Sequence, residues 1–208
     1  MTKVKFCGIK RIEDVKVCNV LLPDFVGFVF WNNSKRNISI DKAKELKKML
    51  DKRIKTVGVF VDENIDIIID ISNQNIIDII QLHGNENNEY IKHLQDITKK
   101  PIIKAFKIIS ENDIITENES VADYVMFDNG YGTGSSFNWN LINNVKRDYF
   151  LAGGLNANNV KEAITTLKPF AVDVSSGIET DGVKDEEKMR EFLKIVRNKY
   201  LWERRNER

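Results

Sequence analysis

The sequence contains few of the residues that form metal sites and disulfides. It has 208 residues, of which two are cysteine, two are histidine and three are proline. Cys7 and Cys18 lie 11 residues apart and outside any Cys-X-X-Cys or Cys/His spacing typical of zinc. We therefore expect no metal ion and two free thiols, as in a reducing cytosol.

Long apolar runs and an excess of one charge are also absent. No stretch approaches the roughly 20 apolar residues that span a bilayer, and residues 1–25 show no signal-peptide pattern. The formal net charge is +1, so overall charge indicates neither a nucleic acid nor a membrane as partner. These absences predict a cytoplasmic protein, and a hydrophobic content of 42% predicts a sizeable core.

Apolar runs of strand length recur about 20 to 30 residues apart, which is the length of one βα unit. They are Val4–Phe6, Phe25–Phe30, Thr56–Val61, Ile77–Leu82, Ile102–Phe106, Tyr124–Phe127, Tyr149–Ala152 and Phe170–Val174. Residues with helical spacing lie between many of these runs. Strands that alternate with helices predict parallel pairing, and near-continuous apolar strands predict burial on both faces.

Eight such units predict an α/β fold, namely a compact (β/α)8 barrel of eight parallel strands with outer helices. We expect one domain over residues 1–198 and a basic, polar tail over residues 199–208. A doubly wound open sheet is the alternative, but the regular units and the lack of a Pro/Gly/Ser-rich linker favour the barrel. Ser39 and Asp41 are candidate caps for the second helix, and Asn156 is one for a later helix.

Turns made of small residues follow the last two apolar runs. Gly153 and Gly154 end the seventh run, and Ser175, Ser176 and Gly177 end the eighth. Such turns expose backbone N–H groups beside helix N-termini and can hold phosphate. In a barrel they form the loops after strands seven and eight, where phosphate commonly binds. Two ordinary βα turns are the alternative.

Five side chains able to do chemistry lie in or near the ends of the predicted strands. Cys7 closes the first strand and needs a nearby cation or helix terminus to become reactive. Asp128 closes the sixth and could be a general acid if its pKa is raised. Arg36 follows the second strand as a candidate carboxylate or phosphate ligand, and His83 follows the fourth as a candidate base. Asp173, inside the eighth, needs a partner such as backbone N–H.

Each of these residues also has a plain structural interpretation. A lone cysteine is usually a small buried hydrophobe, and an aspartate before Asn-Gly often caps a turn. A loop arginine is usually solvated, and a histidine is as often a hydrogen-bonded structural residue. Strand position alone leaves both interpretations open.

Taken in order from residue 4 to about residue 196, the motifs resemble those of one family, the phosphoribosylanthranilate isomerases of tryptophan biosynthesis. The matching stretches are Val4–Ile9, Gly27–Phe30, Ser34–Ser39, Val57–Val61, Gln81–Gly84, Phe127–Asp128, Gly132–Gly134, Phe137–Trp139, Gly153–Asn156 and Asp173–Glu179. No single stretch is specific to the family, whereas the ordered set is.

The resemblance implies an Amadori rearrangement of N-(5-phosphoribosyl)anthranilate to 1-(2-carboxyphenylamino)-1-deoxyribulose 5-phosphate, without a cofactor. It implies that Asp128 is the general acid and Cys7 the general base. Arg36 would hold the anthranilate carboxylate, and the two small-residue turns would hold the phosphate. His83 and Asp173 would also contact this small phosphosugar. The protein would act as a monomer or a homodimer.

The chain departs from the usual family pattern in the strand-six loop and beside the Gly-Gly turn. Ser135 stands for a common lysine or glutamine, Asn138 for an aspartate and Ala152 for a serine, and the segment from Asp128 to Gly132 is short. The catalytic groups remain, and the departures bear on how the glycine-rich loop at Tyr131–Phe137 closes over a ligand.

Other classes of protein share parts of this pattern. Related phosphosugar barrels include indoleglycerol-phosphate synthase and the histidine-pathway isomerases, which use two aspartates, one of them at the position of Cys7. A non-catalytic barrel that binds a phosphorylated ligand is a further alternative. Cys7 at that position argues against the histidine-pathway isomerases, and the presence of both Cys7 and Asp128 argues against a non-catalytic barrel.

Overall fold

The computed structural model describes residues 1–107, 119–128, 142, 145 and 147–198. Eight parallel strands close into a barrel in which each strand pairs with its neighbours in chain order. The strands are β1 Lys3–Cys7, β2 Phe25–Val29, β3 Lys55–Phe60, β4 Ile79–Leu82, β5 Ile102–Lys107, β6 Tyr124–Asp128, β7 Tyr149–Leu151 and β8 Ala171–Val174. The predicted barrel is confirmed, and the open sheet is excluded because β1 pairs with β8.

The helices that the structure describes lie outside the barrel, and four of them begin at a capping side chain. The helices are α1 Ile12–Leu21, α2 Ile40–Met49, α3 Ile65–Asn73, α4 Asn88–Thr98, α5 Val160–Leu167 and α6 Glu186–Val196. The side chains of Ser39, Asn87 and Asp185 accept a backbone N–H three residues further on. The cap of α3 is Asn64, whose side chain accepts the N–H of Asp66.

Two of the predicted caps are wrong. Asp41 lies within the first turn of α2, which Ser39 caps. Asn156 forms a turn before α5, whose N-cap is Asn159, and its side chain accepts the N–H of Asn158 instead. Helix α3 matches no predicted spacing, because its run of isoleucines obscures the helical period.

The core has an outer layer between strands and helices and an inner layer inside the barrel. The inner layer contains Phe25, Val57, Ile79, Ile103, Ala105, Met126, Phe150, Ala152 and Ala171. Successive residues of a strand face opposite sides, so Lys5 and Cys7 face inward together, as do Met126 and Asp128. The apolar interior therefore ends in polar side chains at the carboxyl ends of the strands.

A short hairpin that the sequence did not predict follows β8. The chain makes a 3-10 turn at Ser176–Ile178 and then two antiparallel strands, β9 Glu179–Thr180 and β10 Val183–Lys184. The hairpin returns the chain to the barrel mouth, where Lys184 is buried. Two-residue strands carry no readable alternation, which is why the sequence indicated only a turn.

Cys7 and Cys18 are free thiols, as predicted, and both are buried. In the described part of the chain, every helix is too short or too polar to cross a bilayer. The predicted basic tail at 199–208, the glycine-rich loop at 131–137 with Ser135, and Asn138 lie outside the described residues.

Candidate active site

The turn after β7 depends on two consecutive glycines. Gly153 and Gly154 have φ angles of 85° and 65°, in the left-handed region that favours glycine. The carbonyl of Gly154 accepts the side-chain amides of Asn156 and Asn159 at 3.2 and 3.0 Å. The turn is thereby held in a backbone conformation of the kind that forms anion-binding concavities.

The turn after β8 packs directly against the turn after β7. A side chain at Gly177 would overlap the carbonyl oxygen of Leu155 and approach Cβ of Asn156 to 3.0 Å. Ser176 is exposed beside this contact. The two turns predicted to hold phosphate are therefore adjacent and form one surface.

The side chain of Ser175 forms a hydrogen bond within the protein. Its hydroxyl donates to the carbonyl of Cys7 at 3.0 Å, and the Lys184 ammonium donates to its carbonyl at 2.9 Å. The side chain therefore joins the β8 turn to the end of β1. Any contribution of Ser175 to a phosphate site comes from its backbone.

Cys7 lies in a crowded, charged part of the barrel mouth. A methyl group added at Gly27, its partner on β2, would come within 2.9 Å of Cys7 Sγ and 3.2 Å of Lys5 Nζ. Burial raises the pKa of the Cys7 thiol, whereas the Lys5 ammonium opposes that shift. The cation that a reactive thiol requires is thus present, on the same strand.

Asp173 does have a partner, but not the backbone N–H groups expected from the sequence. Its Oδ1 accepts the Lys5 ammonium at 3.0 Å, and Lys5 is fully buried. This correction has a simple reason: β1 and β8 pair with Lys5 opposite Asp173. A lysine two residues before Cys7 in an apolar strand was the signal in the sequence.

Asp128 and His83 meet across the barrel mouth. His83 Nε2 lies 3.5 Å from Asp128 Oδ2, and His83 Nδ1 lies 3.1 Å from the amide nitrogen of Gln81. Burial lowers the pKa of His83 although Asp128 opposes the shift. A neutral imidazole that accepts from Gln81 at Nδ1 carries its proton on Nε2, facing Asp128.

Arg36 lies at the mouth but is already engaged with a carboxylate. Its Nε and Nη2 donate to the two oxygens of Glu179 at 2.7 Å each, and its side chain packs over Gly8, next to Cys7. Glu179 also accepts the Lys184 ammonium at 2.6 Å. The Nη1 edge of Arg36 has no hydrogen-bond partner among the described residues.

The structure thus brings the predicted residues to one end of the barrel, together with three that sequence reasoning missed. The additional residues are Lys5, Lys184 and Glu179 as a salt-bridge partner. Glu179 is the last residue of the stretch Asp173–Glu179 that resembles the family, but its salt-bridge partner Arg36 is 143 positions away in the sequence. Pairing over such a distance requires the closed barrel.

A closed parallel barrel with ionisable groups at the carboxyl ends of its strands is a (β/α)8 barrel of the enzyme type. The family model for N-(5'phosphoribosyl)anthranilate (PRA) isomerase matches residues 4–195. The chain belongs to the phosphoribosylanthranilate isomerase family.

Individual relatives agree with this assignment. The N-(5'-phosphoribosyl)anthranilate isomerase of Endomicrobium trichonymphae is 42% identical, over 95% of this chain and 100% of the relative. That of Clostridium kluyveri is 44% identical, over 95% and 99%. The crystal structure of the Thermotoga maritima enzyme matches with a TM-score of 0.86 and 36% identity, over 94% of this chain and 98% of that one.

One related structure contains a ligand. It is a phosphoribosyl anthranilate isomerase in complex with reduced 1-(o-carboxyphenylamino)-1-deoxyribulose 5-phosphate. It matches with a TM-score of 0.83 and 35% identity, over 94% of this chain and 98% of that chain.

The contact between the two turns predicts that Gly177→Ala is destabilising. The added methyl group must displace the backbone at Leu155, so we expect a loss of about 1–3 kcal/mol in the free energy of unfolding, measured in urea. Ser176→Ala, in the same turn but exposed, is the control and should stay within about 0.5 kcal/mol of wild type. Equal stabilities for the two variants would contradict the proposed contact.

The salt bridges of Glu179 with Arg36 and Lys184 predict that the free energy of unfolding depends on pH. Burial alone would raise the pKa of Glu179, but Arg36 and Lys184 lower it to about 2. The stabilisation is therefore complete above about pH 4.5 and is lost as pH falls towards 2. Glu179→Gln should cost about 1–3 kcal/mol at pH 7, because Lys184 loses its counter-charge.

Urea unfolding from pH 7 to pH 3 tests this expectation, and the difference between Glu179→Gln and wild type should shrink below pH 4.5. Glu186→Gln is the matched control, since Glu186 pairs with Arg190 on the exposed face of α6. An exposed pair of this kind contributes about 0.3–0.5 kcal/mol. A Glu179→Gln difference that is independent of pH would contradict the assignment.

Proposed function

We propose that Cys7 and Asp128 catalyse the isomerisation of N-(5'-phosphoribosyl)anthranilate, the reaction for which the family is named. The product is 1-(2-carboxyphenylamino)-1-deoxyribulose 5-phosphate, and the reaction belongs to tryptophan biosynthesis. The observation that carries the proposal is the position of the two side chains. Cys7 and Asp128 are the last residues of β1 and β6, and both side chains face the interior at the same mouth of the barrel. Asp128 lies beside His83, and Cys7 lies beside Lys5.

The phosphate of the substrate binds at the joined turns after β7 and β8. Gly153 and Gly154 supply backbone that can approach an anion closely, and Ser176 and Gly177 complete the surface. Because these groups are remote from the reacting carbons, their contribution is to orient the sugar over the mouth. The product-like ligand of the related structure carries such a phosphate.

The first chemical step opens the ribose ring. Asp128, acting as the general acid, donates a proton to the ring oxygen while the bond from that oxygen to C1 breaks. The nitrogen lone pair forms the C1=N bond of a protonated Schiff base. His83 Nε2 lies 3.5 Å from the carboxyl group and helps to orient it.

The second step moves a proton from C2. The positive Schiff base acidifies the C2 hydrogen, and the Cys7 thiolate removes it, so that the electron pair forms an enolamine. Protonation at C1 and loss of the C2 hydroxyl proton then give the ketone. Protons and electrons balance within the substrate and the two side chains, without an external oxidant or reductant.

Arg36 binds the anthranilate carboxylate through its remaining Nη1 edge, while Glu179 holds the Nε edge. Asp173 acts mainly through Lys5, its ion-pair partner. The three residues assigned to substrate binding, Arg36, His83 and Asp173, therefore have different roles. Only Arg36 offers a charged donor that matches the ligand.

The competing function is that of a non-catalytic barrel that binds a phosphorylated ligand. Such a barrel needs the turns but not the inward-facing thiol and carboxyl group, so the presence of both favours the enzyme. One related structure is of monomers generated from the dimeric enzyme of Thermotoga maritima. A cytoplasmic monomer or homodimer, without a cofactor or metal, stays our prediction for this chain.

The catalytic roles predict the behaviour of two variants. Cys7→Ser and Asp128→Asn should lower kcat by about 10²–10⁴-fold, because each removes a positioned base or acid. Phosphoribosylanthranilate made in situ is the substrate, and loss of anthranilate-type fluorescence measures its conversion. Both variants should still bind the reduced product analogue.

Cys18→Ser is the matched control, because Cys18 is a buried thiol on α1, away from the mouth. It should retain full activity in the folded protein. Full activity in Cys7→Ser or Asp128→Asn would overturn the roles of those residues. A wild-type protein that binds the analogue but never converts the substrate would support the binding barrel instead.

A further inference from the structure

Lys5 is a buried charge that the proposed reaction does not use directly. Its side chain lies in the interior of the barrel and has no exposed surface. Burying an ammonium group is costly unless it is paired. Lys5 therefore either belongs to a purely structural ion pair or takes part in the site.

The geometry places the Lys5 ammonium between an anion and a thiol. Lys5 and Cys7 are two residues apart on β1, so both face the barrel interior. Nζ donates to Asp173 Oδ1 at 3.0 Å. The space over Gly27 adjoins both Nζ and the Cys7 sulfur, which puts the two atoms within about 6 Å of each other.

We propose that Lys5 is a positioning residue for Cys7: the ammonium, held in place by Asp173, stabilises the thiolate that removes the C2 proton. The proposal rests on the proposed function, in which Cys7 is the base. It gives Asp173 a part as well, since the carboxylate fixes the ammonium beside the sulfur.

The charges around Cys7 agree with this role. Burial raises the pKa of the thiol, and Lys5 is the largest opposing influence; Asp173 raises the pKa and Lys184 lowers it. Arg36, which packs over the adjacent Gly8, is the other charged group nearby. Burial alone would lower the pKa of Lys5, but Asp173 and Cys7 raise it, so Lys5 stays an ammonium at neutral pH.

A purely structural ion pair is the alternative, and the titration of the thiol separates the two roles. A structural pair stabilises the closed barrel but leaves the chemistry of Cys7 unchanged. A positioning residue changes the pH at which the thiolate forms. Alkylation by iodoacetamide reports that pH in the free protein, because only the thiolate reacts.

The experiment uses a Cys18→Ala background, so that Cys7 is the one thiol. In that background we compare Lys5→Met, Lys5→Arg and the double variant Lys5→Met/Asp173→Asn, which replaces the ion pair by neutral groups of similar size. Urea unfolding identifies the variants that fold. The double variant keeps the test decisive if Lys5→Met leaves Asp173 without its partner and fails to fold.

Loss of the ammonium should shift the alkylation profile of Cys7 to higher pH and slow alkylation at pH 8 about tenfold, which corresponds to one pKa unit. The pH profile of kcat should shift in the same direction, with KM little changed. Lys5→Arg, which keeps the charge, should restore much of the wild-type alkylation rate.

Because Asp173 and Lys5 act on the Cys7 pKa in opposite directions, the folded double variant is compared with Asp173→Asn alone, which removes the carboxylate but keeps the ammonium. Identical alkylation profiles in these two variants would overturn the role of Lys5 and leave a structural ion pair. That result is independent of turnover, because alkylation needs no substrate. If the wild type fails to convert phosphoribosylanthranilate, the proposed function fails, whatever the alkylation profiles show.

Discussion

Strand β1 hydrogen-bonds to β8 from Lys3 to Phe6 and from Ala171 to Val174, and this pairing closes the barrel. The same register puts Lys5 opposite Asp173 and carries the Ser175 hydroxyl to the carbonyl of Cys7. One long-range pairing therefore joins Lys5 to its carboxylate partner and the end of β1 to the turn after β8. Without it, the first and last parts of the site would lie at opposite edges of a sheet.

The alternation of side chains along parallel strands distributes the chemistry. Inward positions are apolar over most of the barrel and become ionisable at the carboxyl ends, where Cys7 and Asp128 lie. The salt bridges there serve different purposes. Lys5–Asp173 is inside the mouth, whereas Arg36–Glu179 fastens the loop after β2 to the hairpin after β8. Stability and function thus share the same few charged groups.

Local patterns were enough to predict the eight strands, the barrel and the position of Cys7 and Asp128, since strand ends and small-residue turns are visible in a few adjacent residues. The partner of Asp173 was missed although Lys5 stands in an apolar strand, because the two residues are 168 positions apart and are paired by closure of the barrel. The same holds for Arg36 and Glu179. Helix α3 and the hairpin were missed because their short or uniform sequences carry no clear period.

A crystal structure of this chain with the reduced product analogue tests the central claim most directly, namely that the joined turns anchor the phosphate while Cys7 and Asp128 address the reacting carbons. The account predicts phosphate oxygens about 3 Å from backbone nitrogens of the two turns. It predicts the C2 carbon about 3–4 Å from Cys7 Sγ. Phosphate bound elsewhere, or C2 beyond about 6 Å from the sulfur, would contradict it.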